Sequence, residues 1–302
     1  MPGTVFSAIR HLDAPYDGPR IAGAEFESTV YVWDFKTRKR VSVFETPLDF
    51  GGSRLAINPR GDLCAVGSYT LGGLACYAAD SGEVVYVRDD LKKLQRVVYS
   101  PDGELLYCGG ERGPMTVLDA KTGADLARYP STEKVFRVPF QPVELLSKRK
   151  KGTIEIRALG GKRIATPART TFAILDVTFG PDRVCMSESG GPVRCLATKA
   201  GAELWRYNPR PGRHVLRLAY TPKAAAFFGV EWPYMKGGAK QLLRFDPETG
   251  KQTPVATIER ASAKEVFCSR GEVLLTTEGE LIDVVTGVTK KAFRFPTSKD
   301  TA

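Results

Sequence analysis

Histidine is nearly absent from this chain of 302 residues, which carries only His11 and His214. Tryptophan, with 3 residues, and methionine, with 4, are also scarce. No His-Glu-x-x-His pattern, Walker loop or Gly-x-Ser-x-Gly elbow occurs, so the signatures of zinc proteases, phosphate-loop NTPases and serine hydrolases are missing. There is no run of 18 apolar residues, and the first ten residues lack a long apolar stretch. Neither a membrane-spanning helix nor a secretory leader is expected. The six cysteines (Cys64, Cys76, Cys108, Cys185, Cys195 and Cys268) form no Cys-x-x-Cys pair and sit inside apolar runs. That placement predicts reduced, buried thiols in a cytoplasmic protein, with a hairpin disulfide, Cys64–Cys76 or Cys185–Cys195, as the alternative. No segment shows ten or more residues of amphipathic helical period.

What the chain does have is a repeated turn. Asp119-Ala-Lys-Thr122-Gly123, Asp246-Pro-Glu-Thr249-Gly250 and Asp283-Val-Val-Thr286-Gly287 are its clean copies. Degenerate copies end at Arg38, Gly82, Gly161 and Gly201, so seven marks are spaced 37 to 49 residues apart. A period of about 40 residues is the sign of a β-propeller in which each repeat is one four-stranded blade. A second turn falls before each mark: Asn58-Pro59, Ser100-Pro101-Asp102-Gly103, Gln141-Pro142, Gly180-Pro181 and Thr221-Pro222. Proline presets φ there, and Gly or Asp tolerates the backbone that follows.

The prediction is an all-β, seven-bladed β-propeller with four antiparallel strands per blade, forming a single domain over residues 1–302. The blades run approximately 1–46, 47–90, 91–131, 132–168, 169–209, 210–258 and 259–296, with 297–302 as a tail. Blade one would use Phe6–Leu12, Arg20–Phe26, Thr29–Phe35 and Arg40–Glu45, and blade seven would end with Lys291–Phe295. With 42% hydrophobic residues the chain can fill a large core.

These turns and strands resemble the WD-repeat and quinoprotein-like seven-bladed propellers over almost the full length. Only one Trp-Asp pair, Trp33-Asp34, is present, and no Gly-His dipeptide. The Asp-His-Ser/Thr-Trp network of typical WD repeats therefore cannot form in most blades, and apolar packing between sheets is expected to hold them together. The resemblance implies a non-catalytic platform for protein partners.

Aligning the innermost strands exposes a recurring arginine, in Arg54-Leu-Ala-Ile-Asn-Pro, Arg96-Val-Val-Tyr-Ser-Pro, Arg137-Val-Pro-Phe-Gln-Pro and Arg217-Leu-Ala-Tyr-Thr-Pro. Blade five has Asp176 in that slot. The start of the innermost strand lies at the mouth of the central channel, on the face built by the d–a and b–c loops. Arginines meeting there would attract an anion and offer it planar forks. The structural alternative is that each arginine bridges to the neighbouring blade.

The net charge of +10 and pI near 9.3 favour an acidic partner. Much of the excess falls in the same loops, which hold Lys92, Lys93, the 148–151 run, Arg213 and His214. Blade six has the longest repeat, with extra residues placed in its b–c loop at 229–240. Trp232 and Tyr234 in that loop are either partner contacts or a cover for the neighbouring blade.

The expected function is a non-enzymatic scaffold or adaptor that binds an acidic protein or peptide segment through Arg54, Arg96, Arg137, Arg217, Trp232, Tyr234, Lys92, Lys93, Arg213 and His214. No cofactor, metal or membrane is expected. Two alternatives stand: a lactonase- or lyase-type enzyme using His214 and channel carboxylates, and a binder of polyanions. Nucleic acid is the less favoured partner, because few aromatics accompany the basic loops.

Overall fold

The Asp-x-x-Thr-Gly turns close the outer hairpin of each repeat through one set of bonds. The carboxylate of Asp119 accepts from the backbone N–H of Thr122 at 2.8 Å and from its hydroxyl at 2.9 Å. Asp246 and Asp283 do the same with Thr249 and Thr286. Gly123, Gly250 and Gly287 then take φ of +71°, +69° and +75°, where a side chain is disfavoured. The degenerate copies keep the backbone part, since Arg38, Gly82 and Gly201 each donate N–H to the carbonyl four residues earlier. Arg38 has φ of +65°, and its guanidinium lies over the rings of Phe35 and Phe293 at 4.8 and 5.1 Å.

The computed structural model describes residues 9, 11–15, 17–25, 29–47, 54–70, 72–110, 114–129, 134–135, 144–149, 153–158, 163–169, 174–198, 201–233, 238–259, 265–268 and 270–297. Among the described residues the chain forms seven four-stranded antiparallel sheets, taken in chain order without crossovers. The innermost strands (strand a) are His11–Asp13, Arg54–Ile57, Leu94–Tyr99, Lys134–Val135, Ile174–Phe179, Arg213–Thr221 and Glu265–Cys268. The one described helix is a single 3-10 turn, Pro222–Ala224.

Each sheet buries its faces against its neighbours. One apolar cluster joins blades one and two through Val30, Val32, Phe44, Leu55, Val66 and Tyr77. Others join two with three, five with six, and six with seven. The ring closes where Trp33, Tyr31 and Ile21 of blade one meet Leu275, Phe293 and Phe295, with the Trp33 and Phe295 rings 4.6 Å apart.

The repeat glycines take part in this packing. A Cβ on Gly82 would lie 2.5 Å from Phe44, one on Gly123 2.5 Å from Tyr86, and one on Gly250 2.6 Å from Trp205. In each case the ring stands on the outermost strand of the preceding blade. Trp205 also donates its indole N–H to the carbonyl of Pro247 in the next turn, at 2.8 Å.

Several expectations need correction. Strand a of blade one is His11–Asp13 rather than Phe6–Leu12. The last strand is Thr289–Lys291 rather than Lys291–Phe295, because Phe293 and Phe295 are drawn onto blade one instead of extending the sheet. All six cysteines are free and buried, so neither hairpin disulfide forms, although Cys185 and Cys195 stand directly opposite each other.

Gly123→Ala is expected to cost about 2 kcal/mol, because it adds both backbone strain and a clash with Tyr86. Gly109→Ala, with Met115 3.8 Å away and no positive φ, should stay within about 1 kcal/mol in denaturant unfolding. The threonine contacts hold the carboxyls of Asp119, Asp246 and Asp283 below the ordinary range. Their stabilisation is complete above the unfolded value of about 4 and is lost as pH falls through the folded values. Replacing all three with Asn should lower stability at pH 7 and flatten the acid limb of a pH–stability curve.

Candidate binding site at the channel mouth

Strand a presents its first residues to the central axis, and there the structure brings together Arg54, Arg96 and Arg217 from blades two, three and six. Arg54 donates from Nε to the carbonyl of Gln95 in the next blade at 2.5 Å. Arg96 reaches across the axis, its Nη2 3.5 Å from the carbonyl of Leu175 in blade five. Arg217 is exposed.

Asp176 completes the group. Its Oδ2 accepts the backbone N–H of Leu218 at 2.9 Å, tying blade five to blade six. Asp13 makes the corresponding tie from blade one to the N–H of Ile57, at 2.8 Å. Arg54, Arg96 and Asp176 are half-buried yet densely surrounded, as side chains lining a narrow channel between packed strands would be.

The three arginines feel one another. Burial pushes the Arg54 and Arg96 pKa values down, and the charge of Arg217 pushes them the same way. For Arg96 the carboxylate of Asp176 opposes this. Burial raises the Asp176 pKa, while Arg217, the Leu218 N–H and Arg96 pull it back. Guanidinium groups nevertheless remain protonated in proteins.

Around this group lie carboxylates that sequence reading passed over. Glu231, fully buried, accepts from the Tyr207 hydroxyl at 2.7 Å and lies 2.7 Å from Arg213 Nε. Arg194 links Glu188 and Glu203 at 3.3 and 2.7 Å. Lys240 and Glu265, at 0% and 1% side-chain exposure, pair at 2.5 Å. A faint signal for part of this existed: Glu25, Glu188 and Glu231 each stand five residues after the start of their second strand, and all three are buried. The Lys240–Glu265 pair had none, since it joins two different blades.

The basic excess on this face is therefore smaller than a residue count suggests, because Arg194, Arg213 and Lys240 are engaged with buried acids. Arg213 also donates to the carbonyl of Ala239 at 2.7 Å. Lys92 and Lys93 are exposed on the connection into blade three, where Lys92 donates to the carbonyl of Asp89 at 2.7 Å. Arg137 and Tyr234 lie outside the described residues.

Trp232 is not in a loop. The second strand of blade six, Ala226–Pro233, extends through it, so the insertion shortens to residues 234–239. Its half-buried ring packs against the blade six–seven cluster and lies under the Lys240 ammonium, 3.4 Å from its centroid. A cation held over that ring face is stabilised electrostatically. His214 pairs with Trp232 across the sheet, and burial lowers its pKa, which favours the neutral ring near pH 7. Among the described residues no group of three or more His, Cys, Asp or Glu is placed to hold a metal ion, and no helix is long and apolar enough to cross a membrane.

No family model matches the chain, and no curated protein matches it at a significant level. Solved structures do. A computationally designed protein, Ika8, superposes with a TM-score of 0.66 at 16% identity, covering 96% of this chain and 89% of its own. The C-terminal WD40 domain of Sif2 gives 0.63 at 13% identity, covering 91% and 94%. A chain of a mitotic checkpoint complex gives 0.67 at 14% identity, covering 91% of each chain. The fold is a WD40-like β-propeller. At these identities the likeness lies in the fold alone.

Removing one partner of the Lys240–Glu265 pair strands the other charge. Lys240→Met or Glu265→Leu alone should cost about 3 kcal/mol, whereas the double variant should recover most of that in denaturant unfolding.

Proposed function

We propose that this WD40-like propeller is a non-enzymatic interaction module whose d–a/b–c loop face binds an acidic protein or peptide segment. The observation that carries this reading is the meeting of Arg54, Arg96 and Arg217 at the channel mouth, with Asp176 the nearest carboxylate not already closed on another cation. The exposed Lys92 and Lys93 extend the positive field onto the rim. Arginine suits this role because its planar fork matches a carboxylate. One of the similar structures belongs to a mitotic checkpoint complex, and a propeller used in assembly fits the same reading. The half-buried, neutral His214, packed between strands, fits a structural part better than a catalytic one. Six buried free thiols fit a reducing compartment such as the cytoplasm.

Affinity capture from the native cell followed by mass spectrometry would identify the partner. An Arg54→Glu/Arg96→Glu variant that remains folded should bind that partner at least about tenfold more weakly. The wild-type affinity should also fall as salt rises. Full binding by the folded double variant would remove this face from consideration.

A further inference from the structure

The width of the channel says more about the ligand than its charge does. Arg96 starts on the innermost strand of blade three, yet its guanidinium lies 3.5 Å from the Leu175 carbonyl of blade five. The opening at this level is therefore about one side chain across. Arg54 is drawn along the same level, to Gln95 of blade three. A folded domain or a nucleic-acid duplex cannot enter such an opening, whereas a single anionic group on an extended stem can. Of the two carboxylates near Arg217, Glu265 is closed on Lys240, and Asp176 is left facing the arginines.

We propose that the channel mouth is a seat for one carboxylate of an extended acidic chain, with Arg54, Arg96 and Arg217 as its walls and Asp176 as the internal counter-ion that the ligand competes with. This rests on the reading of the loop face as acidic-segment binding and names the group that the face takes. The seat sets a geometric requirement: one residue of the bound segment must dominate, because the opening admits one group. Asp176 also has a defined part. Its charge offsets the arginines, while its bond to the Leu218 N–H needs only an acceptor oxygen, which asparagine retains.

The test observes arginine Nε–H signals by NMR while adding peptides of serine and glycine, amidated at the C-terminus, that carry one central glutamate. Arms with glutamine, phosphoserine, or a free C-terminal carboxylate in place of the glutamate separate the possible sources of the anion. The Arg54, Arg96 and Arg217 signals should shift with the glutamate peptide and not with the glutamine one. Arg96→Gln should weaken binding at least about tenfold, and Asp176→Asn should strengthen it about threefold or more. Lys92→Gln/Lys93→Gln should change it less than about twofold. Shifts for phosphoserine alone would overturn the carboxylate assignment. Binding of a hexaglutamate peptide that depends on Lys92 and Lys93 but not on Arg96 would overturn the seat while leaving the loop face as the binding surface. No binding by any acidic peptide would overturn both.

Discussion

The propeller depends on one contact made again and again: an aromatic side chain on the outermost strand of one blade, seated under the turn glycine of the next. Phe44 meets Gly82, Tyr86 meets Gly123 and Trp205 meets Gly250, each so closely that a Cβ would overlap the ring. The glycine thus serves two constraints, a left-handed backbone and the absence of a side chain beneath it. With two histidines in the chain, the hydrogen-bonded network of typical WD repeats is unavailable to most blades, and ring-on-glycine packing with the apolar clusters holds the sheets instead. At the closure, where the mark is Arg38, its guanidinium lies over Phe293 in place of an aromatic under a glycine.

The same ring geometry sorts the charges. Each blade brings its innermost strand to the axis, so residues distant in sequence share one small volume there. Arginines in that slot meet one another, as Arg54, Arg96 and Arg217 do. Carboxylates beside them are either spent as backbone ties, like Asp13 and Asp176, or closed on a cation, like Glu231 and Glu265. A positive mouth survives because the structure neutralises its buried acids locally while the arginines occupy the opening itself.

Strand content was legible wherever turns bracket β-branched runs: Thr29–Asp34 and Arg40–Glu45 lie within a residue of where the pattern puts them. Errors cluster where one blade's packing overrides local pattern. Phe293 and Phe295 have the spacing of a strand, but they leave the sheet because the apolar surface of Trp33 is the better place for them. Trp232 looks like a loop aromatic because its neighbours are polar and glycine-rich. It is held in a strand by Lys240, a residue across the hairpin whose partner, Glu265, belongs to another blade.

The sequence by itself determined the repeat, the turns, the β class and the identity of the residues at the head of each innermost strand, because these rest on backbone preferences and on alternation within a few residues. Only the tertiary structure decided which charges face one another, which acids are spent, and how wide the opening is. Those follow from distances between blades, and no local pattern records the distance between side chains carried by different sheets.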